Sequence, residues 1–340
     1  MAHSPSPIGQ VTLIGLGTRG TALGLALTKP ELNLRVVGCD CDTAAAKRAA
    51  AAGAVHHTEH DLRRACSAAD LIIVAVPYRE ARAVLEHIAP SLKTDAVVVE
   101  TAPLKMPTFG WAEQGLPRDR HLVGAFLIAR HPAPEPPAPL YERGVLVVVA
   151  PRGADSGALE FTARLAPALG ASSFFVDPQE FDGLMAGVRG LPLLMALACF
   201  NAVAGVPGWR DGSRLAGETF AEATALLAGC DPRAAAAELA ANRENLTRRL
   251  DLAEERIEEM RRELSGDAAE VEERLAILLR EAVEGRARWM KSRGDPARDR
   301  PEPGSEPPNV GESFARMFGL GKDQLDILRR RKGGTHAQKP

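Results

Sequence analysis

The pattern Gly15-Leu16-Gly17-Thr18-Arg19-Gly20 lies between an apolar run, Val11 to Ile14, and an alanine- and leucine-rich stretch of helical periodicity. That order of strand, glycine turn and helix constrains the chain more than its composition does. The first glycine permits a tight turn, the second lets backbone approach a pyrophosphate, and the third lets helix and strand pack closely, while the helix N-terminus favours negative charge. A second strand pattern, Leu34 to Gly38, leads to Asp40 at the customary distance of about 20 residues. A carboxylate there accepts hydrogen bonds from a ribose 2′-hydroxyl and repels a 2′-phosphate. Cys41 and Asp42, which follow, supply no cation for such a phosphate. Gly15, Gly17, Thr18, Arg19, Gly20 and Asp40 therefore predict a dinucleotide site that takes NAD in preference to NADP.

A chain of 340 residues, 45% hydrophobic, can bury a sizeable core and has room for two domains. Its net charge of −2, with no basic stripe carrying interleaved aromatics, gives no reason to expect nucleic acid. Cys39, Cys41, Cys66, Cys199 and Cys230 make an odd set without a C-x-x-C pair, which argues against disulfides and against a bound metal and suits a reducing cytoplasm. Met1 to Pro7 has no apolar leader core. The longest apolar run, Leu191 to Val206, is expected to be a buried helix too short to cross a membrane.

Up to residue 177, short β-branched runs (11–15, 34–39, 71–76, 95–100, 121–126, 145–149, 172–176) alternate with helical patterns at 18–28, 43–52, 79–89, 104–114 and 155–168. This alternation predicts a doubly wound, Rossmann-type α/β domain over 1–177, its parallel sheet covered by helices on both faces. Beyond Asp177 only helical periodicity remains, through 178–205, 215–228, 232–264 and 267–291, so 178–291 reads as an all-helical substrate and dimerisation domain. Leu246, Leu250, Ile257, Met260 and Leu264 form a seam on one helix face, which suits a helix hairpin, a homodimer interface or a solvated helix packed on its own domain. Residues 292–340 read as a Pro/Gly/charge-rich linker and tail, with one short amphipathic helix near 313–320.

Ligands of such sheets bind outside the carboxyl ends of the strands. Three loops are selected: Val76-Pro77 and Thr101, expected beside a nicotinamide, with Lys105 at the following helix start, and then Arg130-His131-Pro132. Removing hydride from an alcohol calls for an acceptor of the hydroxyl proton. His3 and His336 are terminal, His56, His57 and His60 fall near the adenine side, His87 is mid-helix and His121 begins its strand at the opposite edge, which leaves His131 as the candidate base. In the helical half, Arg189 precedes the apolar run, and Trp209 to Arg214 reads as a compact polar turn. Arg210 and Arg214 there, with Lys105, are candidate anchors for a substrate carboxylate.

The chain resembles the prephenate/arogenate dehydrogenase family over roughly residues 10 to 290. The likeness runs through Gly15-Leu16-Gly17, Val37-Gly38-Cys39-Asp40, Ala69 to Pro77, Ile88 to Lys93, Val98 to Lys105 and Leu122-Val123-Gly124, then Gly190-Leu191-Pro192-Leu193, Trp209 to Ala216 and Ala241 to Asn245. The resemblance implies a Rossmann domain followed by a helical dimerisation domain like that of 6-phosphogluconate dehydrogenase. It further implies an NAD(P)-dependent oxidative decarboxylation of a ring acid in tyrosine biosynthesis. An ungapped match places Phe126 where the family's G-G-H-P-M motif has its histidine, Pro103 at a family hydroxyl, and Gly190 and Leu193 at the S-H-L-P-H histidines. Arg214 and Lys105 match by position, and a five-residue slip would bring His131-Pro132 into the G-H-P-M role. Two other functions fit the same residues: an NAD oxidoreductase acting on another small acid, and a dinucleotide-binding regulatory or structural protein without turnover.

Overall fold

The structure, a computed structural model, describes residues 9–129, 141, 143–151 and 153–293. His131, the Pro132 to Pro139 stretch, most of the predicted linker and the helix expected near 313–320 lie outside the described residues.

The strands are β1 (Gln10–Ile14), β2 (Arg35–Cys39), β3 (His57–Thr58), β4 (Leu71–Val74), β5 (Val97–Glu100), β6 (His121–Ile128), β7 (Val145–Val149) and β8 (Ser172–Val176). They form one sheet in the order β3-β2-β1-β4-β5-β6-β7-β8. The central strands read as unbroken apolar runs because helices cover both their faces. Along β4, Leu71 and Ile73 enter one core with Val11, Leu13 and Val99, while Ile72 and Val74 enter the opposite core with Ile14 and Val98. The alternation follows from the two-residue period of a strand.

The helices of this half are α1 (Thr18–Leu27), α2 (Thr43–Ala51), α3 (Leu62–Ser67), α4 (Tyr78–Ile88), α5 (Met106–Gly115), α6 (Ser156–Ala163) and α7 (Leu165–Leu169). Asp42, Asp61 and Asp155 cap α2, α3 and α6 through their side chains. The expectation of a parallel sheet needs one correction: β7 pairs antiparallel to β6, with Gly124 opposite Val149, and β8 is parallel to β7. An antiparallel neighbour starts at the edge where the previous strand ends, so β7 needs no crossover from β6.

The all-helical half begins with α8 (Pro178–Met185), which passes through a π-helical turn, Ala186–Gly190, into α9 (Leu191–Ala204). Then come α10 (Trp209–Leu215), α11 (Glu218–Ala223), α12 (Pro232–Ala241), α13 (Arg243–Glu263) and α14 (Ala268–Arg293). The predicted polar turn at 209–214 is thus a helix. The predicted helix 232–264 is broken at Asn242, whose buried amide donates to the Asp182 carbonyl at 2.8 Å. The expected burial of 191–206 is also overturned: only Ala196 of α9 is buried, while Leu197, Phe200, Val203 and Val206 are exposed. An apolar run states that its surface avoids water, not that its own chain provides the cover.

Pro178–Ala204 taken together is long and apolar enough, by length and composition, to cross a membrane, although α9 by itself has only 14 residues. Its first half is nevertheless committed to protein packing. Phe181, Asp182, Met185 and Ala186 are buried, and Asp182 accepts from backbone of the sheet half.

Candidate active site

Between β1 and β4 the order of the strands reverses, and the glycine turn sits at that point. Gly15 has φ +91°, and a Cβ there would meet the Ala75 carbonyl oxygen at 2.5 Å. A Cβ on Gly20 would lie 1.8 Å from the Gly15 oxygen, so only glycine lets α1 come this close to the turn. Gly17 differs, because nothing lies within 4 Å of its added Cβ. Gly17, Thr18 and Arg19 are exposed, and no side chain caps α1. An uncapped helix N-terminus beside an open glycine is a ready anion cradle.

Asp40 follows β2 directly. Its carboxylate accepts from Leu16 N–H at 2.6 Å and from Asp42 N–H at 2.7 Å, so it holds the glycine turn in place. Two carboxylate oxygens offer about four acceptor positions, which leaves capacity for a ribose hydroxyl. Val76 and Pro77 leave β4 beside the turn, with Val76 Cγ1 3.2 Å from a Cβ placed on Gly15. The Thr101 hydroxyl donates to the Val74 carbonyl at 3.0 Å, tying the ends of β4 and β5 together. The open cradle and the free acceptor positions of Asp40 fit a dinucleotide.

Lys105 is not where a substrate could reach it. Its side chain is 0% exposed, and its ammonium donates to the Glu100 carbonyl at 2.9 Å, Glu100 Oε2 at 3.0 Å and the Ala125 carbonyl at 2.9 Å. All three donors are used, so none is free for a carboxylate ligand. The stem passes beneath Gly124, where a Cβ would meet Lys105 Cδ at 2.8 Å. Burial pushes the Lys105 ammonium below its ordinary pKa, and Glu100 opposes that shift. The other Glu100 oxygen accepts from Ala102 N–H. The sequence expectation of a carboxylate anchor is therefore corrected to a buried structural pair.

The two halves join at the same place. Asp182, on α8, accepts from the backbone N–H groups of Lys105 at 2.8 Å and Met106 at 2.9 Å, so a carboxylate of the helical half caps α5 of the sheet half. Burial pushes the Asp182 carboxyl above its ordinary pKa, against these hydrogen bonds.

Beside this junction a cleft of about 320 Å³ opens between Pro103 and Leu104, which follow β5, and the π turn, α9, α12 and α13. Met185, Leu193, Leu239 and Leu246 supply apolar wall, and Arg189, Glu238 and Asp231 supply charge. A π turn often marks a functional site, and here it brings Arg189 to the cleft. Arg189 Nη2 lies 3.2 Å from Glu238 Oε2, and this pair bridges the turn to α12. Gly190 is required by packing, since a Cβ there would meet Leu246 Cδ2 at 2.4 Å. Near the cleft, burial first, then Asp182, Glu100 and Glu238, pushes the Tyr78 phenol up to about 12. It stays protonated at neutral pH.

Arg210 and Arg214 are exposed on α10, Arg214 faces Asp211 at 3.7 Å, and neither lines the cleft. As inner carboxylate anchors they are not supported by their position. Phe126 packs edge-on against Phe181, ring centroids 5.7 Å apart, in an apolar cluster with Phe109, Val147 and Met185. No histidine lines the cleft among the described residues. Sequence reasoning gave neither Arg189 nor Glu238 a site role; the polar pair Asn242-Arg243 was a local signal for the turn that bounds α12.

Residues 23–173 match the family described as prephenate dehydrogenase, nucleotide-binding domain. A prephenate dehydrogenase of Bacillus subtilis (strain 168) is 24% identical over 190 residues, 55% of this chain. That match spans 51% of the relative, about half its length. In solved structures, the prephenate dehydrogenase from A. aeolicus in complex with hydroxyphenyl propionate and NAD+ is similar with a TM-score of 0.74. It is 19% identical, and the match covers 84% of this chain and 99% of that one. Synechocystis arogenate dehydrogenase gives a TM-score of 0.69 at 19% identity, covering 82% and 99%. The chain shares the fold of these proteins across both halves.

Proposed function

We propose that this chain, whose relatives are prephenate and arogenate dehydrogenases, is an NAD-dependent dehydrogenase of that type, acting on a small ring carboxylic acid. The observation that carries this reading is the pairing of an open cradle, Gly17 with the uncapped start of α1, with an apolar cleft at the same edge of the sheet. NAD, when bound, supplies the hydride acceptor. The α1 N-terminus holds its pyrophosphate, Asp40 its adenosine ribose, and Val76, Pro77 and Thr101 border its nicotinamide. The walls of the cleft keep water from the ring of the acid. Loss of hydride and CO₂ from one ring makes that ring aromatic, which drives the reaction forward.

His131 is the proposed acceptor of the hydroxyl proton. A general base of this kind contributes about 10²–10⁴ in rate. The chain works as a homodimer through its helical half: Leu197, Phe200 and Val203 on α9, with Ile257 and Met260 on α13 and Leu264 just past its end, expose apolar surface that a second copy would cover. Its five cysteines are all free, which suits a cytoplasmic enzyme.

Calorimetry with NAD, followed by absorbance of NADH after adding prephenate or arogenate, tests the proposal. Binding of NAD with reduction by one of the two acids is expected. Phe126, which the ungapped sequence match sets at the family's histidine and which packs here against Phe181, favours a second reading, a dinucleotide-binding protein without turnover. NAD binding with no NADH from either acid would select that second reading.

A further inference from the structure

We propose that the cleft selects an α-amino acid over the corresponding 2-oxo acid, with Arg189 holding the carboxylate and Glu238 the ammonium group. This inference rests on the dehydrogenase reading for the identity of the ring acid, and it names the class of group that the cleft admits.

The charges of the cleft wall are unlike those of a site for a simple anion. Arg189 is the one basic residue among the residues lining it, and it stands against two acids, Asp231 and Glu238. Asp231 is committed as the cap of α12, accepting from Ala234 N–H at 2.7 Å. Glu238 has no such duty. Its only hydrogen-bond donor among the described residues is Arg189, through Oε2, and Arg189 uses only Nη2 in return. Each member of the pair thus keeps polar positions free, on the inner surface of a cleft whose other walls are largely leucine and alanine.

An acid and a base 3.2 Å apart match the α-ammonium and α-carboxylate of a single amino acid, which are borne on one carbon. The guanidinium fork takes the carboxylate and the Glu238 oxygens take the ammonium hydrogens. A 2-oxo acid in the same pose sets its keto oxygen against the Glu238 carboxylate, two acceptors with no hydrogen between them. Sites that hydrogen-bond a substrate N–H reject analogues lacking it by 10⁴–10⁵ when fully buried. Here the side chains of Arg189 and Glu238 are 46% and 23% exposed, so solvent reduces that factor, to about tenfold.

The test uses the full chain saturated with NAD and three acids that share a phenol ring and a carboxylate: L-tyrosine, 4-hydroxyphenylpyruvate and 3-(4-hydroxyphenyl)propionate. Calorimetry on the wild type is expected to rank L-tyrosine about tenfold tighter than the oxo acid. E238Q should erase the difference among the three, whereas R189Q should weaken all of them together. Circular dichroism confirms that both variants fold, and R189K serves as a second cation if R189Q does not. Equal binding of the three acids by the wild type, tighter binding of the oxo acid, an undiminished preference in E238Q, or no binding of any acid overturns the proposal. The NADH assay stands apart: turnover of a ring acid with no preference for the amino group would leave the dehydrogenase reading intact and remove only this inference.

Discussion

Replacing Lys105 by methionine separates a structural lysine from a ligand-binding one. Methionine keeps the length of the stem beneath Gly124 but removes the donors to Glu100 Oε2, the Glu100 carbonyl and the Ala125 carbonyl. Glu100, 1% exposed, then keeps Ala102 N–H as its one donor among the described residues. Removing one partner of a buried ion pair costs about 3–5 kcal/mol, chiefly because the other charge is left uncompensated. At about 2–4 °C per kcal/mol for a domain of this size, K105M should unfold roughly 6–20 °C below the wild type. E100Q/K105M, which removes the stranded charge as well, should recover part of that loss. Thermal melts followed by tryptophan fluorescence measure both. For protein that remains folded at a lower temperature, KM for the ring acid should match the wild type. An unchanged melting temperature together with a tenfold rise in KM would refute the reasoning and return Lys105 to the substrate.

Four further outcomes follow from the geometry. D40A removes the acceptor for Leu16 N–H as well as for the ribose, so calorimetry should show NAD bound at least tenfold more weakly and the margin over NADP reduced; unchanged titrations of both coenzymes would acquit Asp40. H131A should lower kcat by about 10²–10⁴ with little change in NAD affinity, and steady-state turnover equal to the wild type would take His131 out of the mechanism. L197D puts a charge on the exposed face of α9, and light scattering should report a monomer where the wild type is a dimer; a monomeric wild type would defeat the interface. The Asp70 carboxyl is pushed up by burial, but Lys93 and the N–H groups of Gln10 and Gly9 more than offset this and hold it below its ordinary pKa. The stability it contributes is present above the unfolded value, about 3.9, and is lost as pH falls through the folded value. Urea midpoints of the wild type should therefore drop below about pH 4 more steeply than those of D70N, and parallel curves would contradict the assignment.

The glycine turn was legible because its logic is local. Gly15, Gly20 and Asp40 act through a turn, a close helix approach and one carboxylate, all within a strand-helix-strand unit. The central strands were legible too, since burial on both faces writes continuous apolar runs. Strand direction is not written there, and so Val145–Val149 gave no sign that β7 turns back along β6. Two-residue β3 and six-residue α3 are too short to show a period. Lys105 looked like a ligand because a polar residue at a strand end usually is exposed, and its partner Glu100 was counted as the strand's last residue rather than as a buried acid. The apolar run of α9 gave its hydrophobicity but not its neighbour. Arg189 and Glu238 are separated by 49 positions, and only the packing of the π turn against α12 and α13 brings them face to face.

The aromatic contact at Phe126 limits what else that position can hold. An imidazole placed at that position would stand against the ring of Phe181, and the Lys105 ammonium lies 5.8 Å from the centroid of that same ring. A positively charged imidazole would be disfavoured by that neighbour and by apolar surroundings alike. A polar group at position 126 would therefore need room made at Phe181 as well, so the two rings are exchanged together or not at all.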